Sequence, residues 1–164
     1  MKEGYLGNLF RVHPPKDELT VSSALLRSPS LSVSYFSLGK GTDISPESYP
    51  DFTLLLSLGG NLEVISSGYS KKLNPLETVL FKPGEFLGRN SQRGCGYIQF
   101  TIGGNCNMKC SIQAGEVFSL KNLVSYEEGS IVNKDLLSNE KRKLALLAFD
   151  EGQELSPHRA KGNA

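Results

Sequence analysis

Displaced by 111 positions, the chain aligns with itself without a gap. Val21 falls on Val132, Leu25-Leu26 on Leu136-Leu137, Gly41 on Gly152, and Ser45-Pro46 on Ser156-Pro157. Leu9 meets Leu120, and the apolar alternation around Leu31, Val33 and Tyr35 runs parallel to Leu144 and Leu146. Self-similarity at a fixed spacing marks duplicated architecture, in which each copy folds as the same supersecondary unit. The first copy continues well beyond the matched stretch, whereas the second has its opening only. The sequence therefore predicts a complete unit over residues 1–115. Residues 116–164 would be a linker and the first strands of a truncated second unit.

A chain of 164 residues can bury one good core but is short for two units of about 110 residues. Hydrophobic residues make up 38% and charged residues 21%, as in ordinary globular proteins. Lys+Arg number 18 against 17 Asp+Glu, a net charge of +1, so no global field recruits nucleic acid or an anionic membrane. Leu54–Leu56 and Leu144–Phe149 are far too short to span a bilayer. Met1-Lys2 leads into no apolar core with a cleavage site, so the expected location is the cytoplasm. Three cysteines, Cys95, Cys106 and Cys110, make no disulfide framework. Cys106 and Cys110 have a zinc-compatible spacing but no second Cys/His pair nearby, which favours structural thiols.

Leu31-Ser-Val33-Ser-Tyr35-Phe36-Ser-Leu38 alternates with period two, the pattern of a half-buried strand. Phe52–Leu58 is a denser apolar run, expected to be buried on both sides. Gly59-Gly60 turns it into Leu62–Ile65, Ser67-Gly68 turns again, and Lys82-Pro83-Gly84-Glu85 follows Val79–Phe81. Tyr97–Ile102 is another alternating strand. Nothing from Thr20 to Ile102 sustains a 3.6-residue period, so an antiparallel sandwich or barrel is predicted. Its expected core includes Leu31, Val33, Tyr35, Leu54, Leu56, Ile98 and Phe100. Phe118–Tyr126 is read as one or two helical turns with Ser119 as N-cap.

Gly152-Gln-Glu-Leu-Ser-Pro-His158, a glycine and a histidine with five residues between them, follows the strand-like run Leu144–Phe149. It resembles the opening of the first cupin motif, and the run from Phe118 onward is similar to the start of small bacterial cupins of the conserved-barrel type. Gly41-Thr-Asp-Ile-Ser-Pro-Glu47 has the same spacing in the complete copy. Gly60 stands where the motif's hairpin glycine belongs, and Lys82-Pro83-Gly84 resembles the turn of the second motif. The likeness covers roughly residues 20–102 and 118–164. It implies an all-β, antiparallel double-stranded β-helix, a jelly-roll barrel, with an incomplete second repeat at its C-terminal end.

Metal-binding cupins place two His and a Glu in the first motif and a third His in the second. The positions here that match are Glu47, Tyr49, Thr53 (or Leu54) and Leu87. One carboxylate and one phenol make a poor site for a divalent cation. The resemblance thus implies a first barrel with no cofactor and no metal. His158 is a weak candidate ligand in the second repeat, where Ala160 occupies the next ligand position.

No Ser/His/Asp arrangement or phosphate-binding Gly loop has the required context. Arg89 and Arg93, with Asn90, Ser91 and Gln92 between them, are weighed as barrel-mouth groups for an anionic ligand against a solvated loop. The expectation is a non-catalytic barrel that serves as a small-molecule binding or assembly module, akin to the sensor barrels of sugar-responsive regulators. Glu47, Tyr49, Thr53, Leu87 and Arg89 would line its mouth. The alternative is part of a two-barrel metalloenzyme, of isomerase or dioxygenase type, with its chemistry in the C-terminal repeat. The expected partners are a small organic ligand and a second copy in a homodimer, with no nucleic acid and no membrane. The homodimer follows from residues 130–150, whose apolar strands lack a cover and should add onto a sheet of their own barrel or of a second protomer.

Overall fold

Alternating and β-branched stretches broken by Gly, Pro and Asn leave this chain with one efficient way to bury its apolar side chains, as stacked antiparallel strands. The computed structural model describes residues 7–103 and 108–157. After a single helical turn, α1 (Leu9–Val12), come β1 (Thr20–Ser28), β2 (Leu31–Leu38), β3 (Thr42–Ser48), β4 (Phe52–Gly60), β5 (Leu62–Ser66), β6 (Tyr69–Leu73) and β7 (Glu77–Phe81). β8 (Phe86–Ser91), β9 (Cys95–Ile102), β10 (Lys109–Cys110) and β11 (Val117–Ser119) follow. A 3-10 turn at Leu120–Asn122 precedes β12 (Ile131–Ser138) and β13 (Lys143–Phe149). Ser119 is the N-cap of that turn, as predicted, although its side chain makes no capping hydrogen bond.

Two sheets make the barrel. Six strands run in the order β1-β2-β9-β4-β7-β11, and four in the order β3-β8-β5-β6, all antiparallel. The core between them holds Leu38, Leu55, Leu62, Val64, Leu73, Val79, Phe81, Leu87, Cys95 and Tyr97. The Phe36 and Tyr97 rings stack there at 5.1 Å. Gly60 makes the β4–β5 turn with φ +83, and a side chain at that position would run into Gly94 and Cys95.

The strands lie where the alternation puts them, but the expected core residues face the other way. Leu31, Leu54 and Phe100 are on the outside of the six-stranded sheet, and Tyr35, one residue from the inward Phe36, shares that face. A one-residue change of phase moves every side chain of a strand to the opposite face. The outer face is nonetheless buried, because two further layers cover it. At one end Phe10 approaches Gly59 and Gly96, and the Tyr35 hydroxyl donates to the His13 carbonyl at 2.9 Å. Towards the other end, β12 and β13 with β10 form a third, three-stranded sheet. Leu136, Leu137, Leu144 and Leu146 pack with Leu54, Leu80, Phe100 and Ile102 in a second apolar cluster.

The duplicated sequence is a duplicated structure, down to its irregularities. Thr20 pairs with Leu38 and Ile131 with Phe149, 111 positions on, and each pair of strands is interrupted at the equivalent place, Ala24/Leu26 and Asp135/Leu137. Ser28 caps the first hairpin turn through its hydroxyl, and Asn139 caps the second through its amide oxygen. Glu18 and Gly129 share a positive φ of 61° and 67°, as Gly41 and Gly152 share 72° and 78°. The second hairpin packs on the barrel through Leu144 and Leu146, the equivalents of the outward Val33 and Tyr35. Its other face, equivalent to the interior residues Phe36 and Leu38, leaves Leu147 47% and Phe149 37% exposed. Of the two arrangements predicted for residues 130–150, this chain has the hairpin packed back on its own barrel.

Candidate functional site

Inward-facing positions along β4, β8 and β9 carry polar side chains at one end of the barrel. Strand pairing sets Thr53 opposite Thr101 and Leu55 opposite Gln99. In the facing sheet, β8 turns Leu87, Arg89 and Ser91 to the same side, all fully buried. Arg89 thus lies in a strand with 1% exposure. It belongs to the barrel wall, so the solvated loop weighed from the sequence is corrected for Arg89, while Gln92 and Arg93 are exposed in the turn after β8.

A buried guanidinium has five N–H donors to satisfy and a charge to compensate. Arg89 Nη2 donates to Tyr49 Oη at 2.7 Å and to Gln99 Oε1 at 2.8 Å. The Tyr49 hydroxyl in turn donates to Glu47 Oε2 at 2.6 Å. The same oxygen lies 3.6 Å from Arg89 Nη1, an ion pair too long for a hydrogen bond. Gln99 Nε2 continues the chain to Thr101 Oγ1 at 3.4 Å. The guanidinium also lies over the Tyr49 ring, 5.3 Å from its centroid. One end of this relay is wet, since the Glu47 side chain is 57% exposed, its middle is sealed at Arg89 and Gln99, and its other end, Thr101, is half-buried.

Several polar atoms of this region are left over. Arg89 Nε and Nη1 and the Tyr97 hydroxyl have no hydrogen-bond partner although all are buried. Burial pushes the Tyr97 hydroxyl pKa far up, and the nearby Arg89 charge opposes that shift. Buried donors without a hydrogen-bond partner are uncommon in proteins, and these lie close to one another, the Tyr97 hydroxyl within the electrostatic reach of Arg89, Tyr49 and Glu47.

Of the five residues predicted for the mouth, Glu47, Tyr49 and Arg89 are joined directly. Leu87 is fully buried in the apolar core, and Thr53 is buried on the adjoining wall with its hydroxyl 3.5 Å from the Asp51 carbonyl. Gln99 and Tyr97 belong with them and escaped the sequence reading. Their signal was an inward polar position in a strand otherwise read for its apolar residues. His158 and Cys106 lie outside the described residues. Cys95 is a buried thiol, its pKa raised chiefly by burial, while Cys110 is exposed and donates to the Ile112 carbonyl.

Among the described residues no three His, Cys, Asp or Glu side chains cluster as metal ligands would. The residues at the motif positions fit a divalent cation poorly on chemical grounds. Leu87 has no donor atom, and the Glu47 carboxylate already faces a fixed cation, Arg89. An open groove of about 360 Å³ runs along Gly41–Pro46, Ile65, Gly88–Asn90 and Gln92, and so adjoins the site at Arg89. No helix of the described residues is long and apolar enough to cross a membrane.

The architecture has clear relatives among solved structures. A cupin 2 conserved barrel domain protein from Leptotrichia buccalis superposes with TM-score 0.79 at 23% identity, over 93% of this chain and 68% of that one. The chain has the cupin fold. A cupin superfamily protein from Desulfitobacterium hafniense matches with TM-score 0.59 at 20% identity, over 63% of this chain and 95% of its own. A conserved Streptococcus pyogenes protein of unknown function matches with TM-score 0.60 at 16% identity, over 65% and 93%. The barrel strands, β1–β9 and β11, lie between Thr20 and Ser119, so a superposition over 93% of the chain extends past the barrel. No family model and no curated protein matches the sequence.

Proposed function

We propose that this chain is a non-catalytic cupin barrel that binds a small organic molecule at the mouth formed by Glu47, Tyr49 and Arg89, without a metal. The observation that carries the reading is the fully buried Arg89 guanidinium, with no hydrogen-bond partner at Nε and Nη1, two residues along β8 from Leu87, the position that matches the second motif's histidine. A cation there repels a second cation and attracts hydrogen-bond acceptors, so a site of this composition holds and orients a ligand. Its hydroxyl–carboxylate pair, Tyr49 and Glu47, is engaged with Arg89, which suits holding a ligand rather than moving a proton. Differential scanning fluorimetry of the full chain against small organic acids, amides and polyols tests this. A ligand that raises the melting temperature of the natural chain and leaves Arg89→Gln unchanged supports the reading. Ligands that act equally on both oppose it.

The second hairpin supports an assembly role beside this one, as a homodimer. β13 is the outer strand of its sheet, with one unpaired edge, and it carries the exposed Leu147 and Phe149. In the first repeat the equivalent edge of β2 pairs with β9 along its whole length. An open apolar edge of this kind pairs readily with another strand.

A further inference from the structure

Glu47 occupies an unusual position for a residue of a binding site. Among the described residues its carboxylate is the only acidic group in an ion pair with Arg89, yet it reaches the guanidinium from the solvent side, at 3.6 Å and with one oxygen. That oxygen also accepts the Tyr49 hydroxyl. Glu47 leads the exposed end of β3, beyond the irregularity in its pairing between Ile44 and Glu47. Arg89, by contrast, is locked in the wall by Tyr49 and Gln99. A long, half-solvated ion pair contributes little to stability. The donors facing it are preformed and only partly used.

We infer that Glu47 is an internal stand-in for the ligand, and that the molecule taken up at this mouth carries a carboxylate which displaces Glu47 from Arg89 and Tyr49. The inference rests on the barrel being a binding module. A carboxylate offers the acceptor geometry that guanidinium N–H groups and a phenol O–H recognise. When the ligand's carboxylate arrives, the Glu47 side chain turns outward into water, which costs little because it is already more than half exposed. The charge at Arg89 stays compensated throughout. Arg89 Nε and the Tyr97 hydroxyl, which have no hydrogen-bond partner within the protein, are the neighbouring donors for a further polar atom of the same ligand.

The test uses full-length chain with propionate as probe, propionamide as its uncharged counterpart, and sodium chloride at matched ionic strength. Glu47→Ala should bind propionate about tenfold more tightly than the natural chain, the gain from a vacated charge-assisted site. Propionate should also raise the melting temperature of this variant more than that of the natural chain. Propionamide and chloride should do neither, and the double variant Glu47→Ala/Arg89→Gln should respond to none. Should Glu47→Ala fail to fold, Glu47→Gln keeps the volume while weakening the hold on Arg89, and the same order of affinities is expected. Equal propionate affinity in the natural chain and the Glu47 variants would overturn the inference, as would a response that survives loss of Arg89. If propionamide or a polyol binds in an Arg89-dependent way and propionate does not, the binding-module reading stands and the carboxylate class falls. If no probe binds, both fail.

Discussion

Arg89 Nη2 and Gln99 Oε1, 2.8 Å apart, join the four-stranded sheet to the six-stranded sheet through the barrel interior. Neither side chain has another way to satisfy this bond, since both are buried. Gln99→Leu should therefore cost about 1–3 kcal/mol by orphaning a charged donor. Adding Arg89→Met should recover much of that loss, because apolar replacement of both partners leaves no charged donor unpaired. Chemical denaturation of the two single variants and the double variant measures the coupling, expected at about 0.5–3 kcal/mol. Simple additivity would mean that the bond does not form.

Tyr97 predicts a pH dependence. Its hydroxyl titrates higher in the folded chain than in the unfolded one, where the value is about 10. The neutral phenol is thus favoured by folding, and this part of the stability is fully present below about pH 10. It is lost progressively as pH rises from there towards the folded value, because the unfolded state releases its proton first. Tyr97→Phe should flatten that alkaline decline. Near neutral pH it should be neutral or stabilising, since the hydroxyl it removes has no partner. Urea midpoints across the alkaline range give the comparison, and a steep loss of stability near pH 7 would show that the hydroxyl is bonded.

The strands were legible in the sequence and their phase was not. In β4, Leu54 and Leu55 are both buried, one under the second hairpin and one in the barrel. When both faces of a sheet are covered, alternation loses the polar half that would tell inside from outside. Glu47 and Tyr49 could be placed from the resemblance to the first cupin motif, carried by the run from Gly41 to Glu47. The Arg89–Gln99 bond could not, because it depends on the packing of two sheets. An arginine set between Gly88 and Asn90, alternating with Leu87 and Ser91, was the one available sign that it lay in a strand.

The repeat also corrects a backbone position. Glu18 is held at φ 61°, while its equivalent, Gly129, has the same conformation at φ 67°. Left-handed backbone is costly for side chains with a Cβ and free for glycine, offset in part by the greater entropy of glycine when unfolded. Glu18 is exposed, so Glu18→Gly should stabilise by roughly 0.5–1 kcal/mol, and Gly129→Glu should destabilise by a similar amount. Thermal unfolding of both checks it, and two shifts of the same sign would contradict it.

The proposed homodimer depends on the face that β13 leaves open. Light scattering should give a dimer for the full chain and a monomer for Leu147→Lys/Phe149→Lys, with the melting temperature little changed because both positions are exposed. A monomeric natural chain would reduce the second hairpin to a cover for Leu54, Leu80 and Ile102.

The central claim is that Arg89 organises this cupin barrel where a metal would otherwise do so. Its most direct test is elemental analysis of the full chain after exposure to Fe, Mn, Ni and Zn salts followed by desalting. The account predicts only substoichiometric metal, with no change on Glu47→Gln. One equivalent of any of these metals per chain, lost in that variant, would contradict it.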